Sequence, residues 1–233
     1  MLVFKGIQKT TLIDFPGEVA CTVFLPKCNF RCGYCHNKQL VLEQETGISI
    51  TEKQLFDFLD GRKGFLDGVC ITGGEPSLHK ALPEFCRKLK EKGFLVKVDT
   101  NGSNSTMLKQ MVDEKIVDYI AMDIKAPLEK YDVVAGVKVN KEAIKKSVEL
   151  IRKSGLDYEF RTTVLPKLVS EEDLLAIGKW LNGSKLYALQ QFYAVGELLD
   201  ESLKSQKPYP KQKLLAFKKM LEPYFSKVEV RNV

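Results

Sequence analysis

The chain has 233 residues, 44% of them apolar, and carries 36 basic against 30 acidic side chains for a net charge of +6. That is enough apolar chain for one sizeable core, and no low-complexity tract interrupts it, so the expectation is a single domain spanning 1–233 rather than a disordered or fibrous protein. No stretch approaches about 18 consecutive apolar residues, and the start MLVFKGIQKTTLIDFPG lacks the features of a secretory signal, which argues against a membrane protein and for a cytoplasmic one.

Short β-branched runs alternate with amphipathic stretches along the chain. Strands are predicted at Val19 to Leu25, Gly68 to Thr72, Phe94 to Asp99, Val117 to Ile124, Tyr158 to Val164, Leu186 to Phe192 and Lys227 to Val230. Helices are predicted between them, near Thr51 to Gly61, Lys80 to Lys92, Ser105 to Glu114, Lys141 to Ser154, Ser170 to Leu181 and Pro210 to Leu221. Ser49 or Thr51 caps the first of these, and Ser170 with Asp173 caps the fifth. Strands apolar on both faces and separated by helices suit a parallel sheet with right-handed crossovers. The expected fold is α/β, a partial (β/α)6 TIM-like barrel, with its chemistry at the carboxyl ends of the strands.

The polar motifs fall at those ends. The first long strand runs into FLPKCNFRCGYCHN, which places Cys28, Cys32 and Cys35 within eight residues. Three thiolates can hold three irons of a cubane and leave the fourth open to a substrate. Zinc is the plainer rival, but His36 directly follows Cys35 and adjacent residues rarely both turn onto one tetrahedral ion. Cys21, Cys70 and Cys86 lie singly in apolar surroundings and read as packing residues, and His79 reads as a helix-start or surface residue. A reducing compartment argues against a disulfide framework.

The spacing Cys28-x3-Cys32-x2-Cys35, with Tyr34 just before the last cysteine, resembles the signature loop of the radical S-adenosylmethionine superfamily. The resemblance implies one [4Fe-4S] cluster on the three cysteines and S-adenosyl-L-methionine chelated to the open iron. Reductive cleavage of its carbon-sulfur bond would then give a 5′-deoxyadenosyl radical. The backbone of Tyr34 would contact the adenine. The Thr72-Gly73-Gly74-Glu75-Pro76 segment resembles the one that holds the methionine amino group. Only 37 residues lie between Cys35 and Gly73, with Cys70 their one cysteine, so no additional ferredoxin-like clusters are expected.

Asp99-Thr100-Asn101-Gly102 and Asp123-Ile124-Lys125 narrow the likeness to the glycyl-radical enzyme activating enzymes, those of pyruvate formate-lyase and of anaerobic ribonucleotide reductase. The similarity covers the chain from Ile13 to Gln191, although the step before Pro16-Gly17 is Asp14-Phe15 where pyruvate formate-lyase activators have Asp-Gly. By this likeness Asp99 and Asp123, with Thr100 nearby, contribute to a monovalent cation site, and Lys125 lies near the cofactor carboxylate. An ordinary ion pair at the barrel rim remains the alternative for Asp123 and Lys125. Arg161, inside a predicted strand, needs an anionic partner, which the cofactor carboxylate or a neighbouring strand would provide. Gln190 and Gln191 are candidates to read a peptide backbone or to be satisfied core amides.

The implied reaction is abstraction of a glycine α-hydrogen in a partner protein, with electrons from a flavodoxin or ferredoxin-type reductant. Two rivals are a radical enzyme acting on a small molecule, of the 7-carboxy-7-deazaguanine synthase kind, and a metal or electron-carrier module without catalysis. Nucleic acid is not an expected partner, because the lysine-rich segment from Lys204 to Lys219 reads as the solvated face of a terminal helix.

Overall fold

The computed structural model describes residues 1–44 and 47–232. In chain order its strands are β1 (Val3–Phe4), β2 (Gly6–Thr11), β3 (Ala20–Leu25), β4 (Ile50–Thr51), β5 (Gly68–Gly73), β6 (Leu95–Thr100), β7 (Tyr119–Asp123), β8 (Asp157–Val164), β9 (Ser184–Gln191) and β10 (Phe225–Arg231). The helices are α1 (Lys38–Val41), α2 (Glu52–Asp60), α3 (Leu82–Glu91), α4 (Ser105–Asp113), α5 (Tyr131–Ala135), α6 (Lys141–Lys153), α7 (Glu171–Trp180) and α8 (Lys211–Leu221). The residues group into two compact units, one comprising 1–29, 39–121 and 143–157, the other 30–38, 122–142 and 158–233.

In the first unit β3, β5 and β6 pair in parallel, with Cys70 opposite Thr22 on one side and Lys97 on the other. Asp118, just ahead of β7, donates its backbone N–H to Val96 of β6 at 2.8 Å. Residues of β3 and β5 are almost wholly buried, as expected for parallel strands covered on both faces. Helices cover them because their apolar residues recur on one face: Leu55 and Leu59 in α2, Phe85, Cys86 and Leu89 in α3, Leu108 and Met111 in α4. Phe85 anchors this core between Phe4 at 5.1 Å and Phe56 at 5.6 Å between ring centroids.

Antiparallel strands that the sequence reading did not include join the expected parallel ones. Strand β2 runs antiparallel to β3, and β1 pairs antiparallel with β4. The segment Gly6–Thr11 is mostly solvated, so its Lys and Gln residues conceal the strand from a hydrophobicity reading, and it returns to β3 without a crossover helix.

In the second unit β8, β9 and β10 pair in parallel, and Ile124, just after β7, donates its backbone N–H to Arg161 of β8 at 2.7 Å. Ser170 caps α7 through a reciprocal box with Asp173, and Leu214, Phe217 and Leu221 form the buried face of α8. Tyr187 of β9 stacks on Phe225 of β10 at 4.7 Å. Among the described residues no helix is long and apolar enough to cross a membrane.

Candidate functional site

The first unit ties the start of the cysteine loop to the strand ends beside it. Gly74 donates its backbone N–H to Leu25 at 2.8 Å, and Glu75 donates to Lys27 at 2.6 Å. This contact leaves no room for side chains. A Cβ on Gly73, whose φ is +115°, would meet backbone atoms of Leu25, and one on Gly74 would overlap the Lys27 carbonyl. Both glycines therefore serve, first of all, the close approach of the chain to itself. Lys27 holds a left-handed φ of 69° immediately before Cys28, an uncommon conformation for a residue with a side chain. His79 belongs to the same clasp: its Nε2 donates to the Pro26 carbonyl at 2.8 Å.

Glu75 is only 1% exposed and its carboxylate is fully used by the protein. Oε1 accepts from the backbone N–H of Ser77 (3.0 Å), from its hydroxyl (2.5 Å) and from the Thr100 hydroxyl (2.8 Å), while Oε2 accepts from the Asn101 N–H (2.6 Å). Burial raises its pKa above the ordinary carboxylate value and outweighs the lowering effect of these donors. Its side chain thus fastens the end of β5 to the end of β6.

Asn101 carries this order onward. Its Nδ2 donates to Asn29 Oδ1 at 2.9 Å and lies 3.9 Å from Cys28 Sγ, while its Oδ1 accepts from the Ser103 N–H at 2.9 Å. In the sequence Asn101 figured only as part of the Asp99-Thr100-Asn101-Gly102 likeness. The missed signal was the pairing of this asparagine with a second one beside the first cysteine.

The rest of the loop belongs to the second unit. Cys35 donates its N–H to Cys32 at 3.0 Å, Leu199 donates to Cys35 at 3.2 Å and Asp200 to Gly33 at 2.8 Å. Arg31 donates its N–H to Ala135, and Cys32 Sγ lies 3.9 Å from the same carbonyl. Cys32 is buried and Cys28 and Cys35 are half-buried, and none of the three is in a disulfide. Burial, and less so the neighbouring Cys35 and Asp123, pushes the Cys32 thiol up despite Lys125. His36 is held away from a ligand's role, with Nδ1 2.9 Å from the Val195 carbonyl and its ring stacked on Phe192 at 6.0 Å.

A charged cluster stands at the ends of β7 and β8. Arg161 Nε donates to Asp123 Oδ1 at 2.8 Å, and Lys125 Nζ donates to Oδ2 at 3.0 Å. Burial alone would raise the pKa of Asp123, but the two cations hold it well below the usual carboxylate range. For Lys125, burial is the largest single influence and works against the charge, but Asp123, Tyr34 and Cys32 together outweigh it, so the ammonium persists above its ordinary pKa. The same ammonium lies 6.0 Å from the centre of the buried Tyr34 ring. Tyr131 backs the group, its hydroxyl donating to the Asp123 carbonyl at 3.3 Å.

Each unit thus brings together part of the predicted set: Cys28, Gly73, Gly74, Glu75, Pro76, Asp99 and Thr100 in the first, Cys32, Tyr34, Cys35, Asp123, Lys125 and Arg161 in the second. Among the described residues no three His, Cys, Asp or Glu side chains are gathered as ligands of a single metal ion. A cubane asks for something else, because each thiolate binds a different iron. Three reduced thiols within eight residues of sequence, two of them partly exposed, are the donor chemistry such a cluster needs. The predicted packing cysteines are of another kind: Cys21 and Cys86 are fully buried, and desolvation pushes their thiols up to about 12.

Thiols at a parallel strand end within an α/β chain define a class that likeness to known proteins makes specific. The sequence pattern of the Radical SAM superfamily matches residues 22–181, and the chain belongs to that superfamily of enzymes, whose members use a [4Fe-4S] cluster and S-adenosylmethionine. The chain is 36% identical to the "Putative glycyl-radical enzyme activating enzyme MJ1227" of Methanocaldococcus jannaschii over 235 aligned positions, covering 98% of this chain and 95% of that protein. It is also 26% identical to the pyruvate formate-lyase-activating enzyme of Clostridium pasteurianum, over 72% of this chain and 71% of that one. Streptococcus suis SuiB bound to S-adenosylmethionine shares the fold, with a TM-score of 0.66 at 12% identity over 91% of this chain and 52% of that one. The α/β fold is thus consistent with the partial barrel of radical SAM enzymes.

Proposed function

We propose that this chain is a glycyl-radical enzyme activating enzyme. The observation that carries the reading is the likeness to MJ1227, which extends over nearly the full length of both proteins. In this reading a cluster held by Cys28, Cys32 and Cys35 would, when bound and reduced by a flavodoxin or ferredoxin-type reductant, supply the electron for reductive cleavage of S-adenosylmethionine, and the chemistry served would be removal of a glycine α-hydrogen from the partner enzyme.

The chain's own work is to hold and orient. Cys28, Cys32 and Cys35 bind the cluster, and Asn101 fixes the Cys28 side of the loop through Asn29. The backbone of Tyr34 meets the adenine. Gly73, Gly74 and Pro76 present backbone to the methionine amino group, and Glu75 acts as a positioning residue because its oxygens are already filled. Lys125 and Arg161 offer cationic groups to the methionine carboxylate from the Asp123 cluster. No side-chain base is required, since a hydrogen atom and not a proton leaves the glycine. The enzyme works in the cytoplasm, and lysines between Lys204 and Lys219 steer it toward an acidic partner surface.

The test begins with anaerobic reconstitution by iron and sulfide, reduction, addition of S-adenosylmethionine, and chromatography for 5′-deoxyadenosine. Product from the parent and none from Cys32→Ala is expected. A glycyl radical signal by electron paramagnetic resonance should then appear in a glycyl radical enzyme mixed with the parent. Product without transfer to any glycyl radical enzyme, but with turnover of a small molecule, would overturn the partner assignment.

A further inference from the structure

We propose that Lys97 is a resident cation for the Asp99 carboxylate, so that this chain binds and cleaves S-adenosylmethionine without an added alkali cation. The inference rests on the assignment of these strand ends to the cofactor made above. The family likeness leads to the expectation that Asp99, Thr100 and Asp123 contribute to a monovalent cation site, and such a site needs oxygen donors whose charge is not already neutralised. The three residues do not fit that requirement.

Lys97 and Asp99 stand two apart on β6 and so project from the same face of the strand. The Lys97 side chain is 1% exposed, and its ammonium is ion-paired to Asp99 Oδ1. It is boxed in by Cys70 Sγ at 3.7 Å and by the Tyr119 ring, whose centre lies 5.7 Å away. A lysine buried to this degree inside a parallel strand is rare unless paired, and here the pair is the carboxylate expected to receive the alkali ion. Thr100 is engaged as well, its hydroxyl donating to Glu75 and accepting from the Gly102 N–H at 3.0 Å. In the other unit both oxygens of Asp123 are taken, one by Arg161 and one by Lys125. Lys97 therefore already neutralises Asp99, and a mobile cation at Asp99 would have to displace or sit against a buried ammonium, where like charges repel strongly.

The experiment compares chloride salts of potassium, sodium and choline at equal ionic strength. Thermal unfolding of the cluster-free protein and the concentration dependence of 5′-deoxyadenosine formation on S-adenosylmethionine are both measured. The wild type should show the same melting temperature and the same KM in all three salts. Lys97→Met should melt lower in choline and recover in potassium or sodium, and its product formation should become alkali-dependent. Lys97→Arg should remain indifferent to the salt. An increase in the wild-type KM by about tenfold or more in choline, or a Lys97→Met protein that folds yet ignores the alkali ion, would overturn the proposal. If Lys97→Met does not fold, the wild-type salt comparison decides alone. Absence of 5′-deoxyadenosine in every salt would instead count against the functional reading, while the melting series would still report whether Asp99 takes an alkali cation.

Discussion

Arg161 donates from Nε to Asp123 Oδ1 at 2.8 Å, joining the end of β8 to the end of β7 by a charged hydrogen bond. Removing the guanidinium leaves Asp123 with Lys125 alone and takes a cation from the buried Glu159, which keeps Arg231. Arg161→Met should therefore destabilise the cluster-free protein by about 1–3 kcal/mol, less than a fully buried pair would lose because Asp123 is partly exposed. Urea unfolding checks this, and Arg161→Lys should recover part of the loss.

The same pair dictates an acid dependence. The folded-state pKa of Asp123 lies below the unfolded value, so the native state binds fewer protons and gains stability as the pH rises through that window. The contribution is complete above about pH 5 and is lost as the pH falls from the unfolded pKa near 3.9 through the lower folded one. The stability advantage of the wild type over Asp123→Asn should be constant near neutrality and shrink below about pH 4. An advantage that grew on acidification would contradict the pairing.

Glu75 supports the loop through four donors, so its substitution should act through geometry. Glu75→Ala leaves the Asn101 and Ser77 N–H groups and two hydroxyls without their acceptor, a cost of about 2–4 kcal/mol. Glu75→Gln keeps the shape but brings its own N–H into a ring of donors and should cost about 1–2 kcal/mol. Both should raise the KM for S-adenosylmethionine more than they lower iron incorporation, because the cysteines are not touched.

Gly74→Ala should damage cluster assembly. Its methyl group would overlap the Lys27 carbonyl, which is backbone and cannot turn aside, so the clasp between β3 and β5 must open one residue before Cys28. A loss of about 1–3 kcal/mol or more is expected. Iron bound after reconstitution should fall below the wild-type stoichiometry.

Thiol alkylation of the cluster-free protein should separate two classes. Cys28 and Cys35, half-buried, should react with iodoacetamide under native conditions, and Cys32 more slowly. Cys21 and Cys86, with thiols pushed up to about 12 and no exposed surface, should react only after unfolding. Peptide mass spectrometry reads the difference.

Much of the scaffold was legible because local pattern and burial agree. The run predicted as Gly68 to Thr72 is β5 at Gly68–Gly73, and the helix predicted from Ser105 to Glu114 is α4 at Ser105–Asp113. Apolar periodicity and capping residues act within a few positions, so they can be read without the rest of the molecule. Strand β2 escaped because its side chains are mostly solvated and its stability comes from pairing with β3.

By itself the sequence determined the alternation of strand and helix, the cysteine spacing that marks the superfamily, and the placing of polar motifs at strand ends. Only the tertiary structure decided what those polar groups do. Glu75 meets Thr100 and Asn101 across 25 and 26 positions of chain, Asn101 meets Asn29 across 72, and Arg161 meets Asp123 across 38. The role of a buried charge is set by whichever partner neutralises it, and that partner is chosen by packing of distant segments, to which neither composition nor periodicity refers. Lys97 shows this most plainly: in sequence it is one of many lysines, and in the fold it is buried and paired with the acid two residues on.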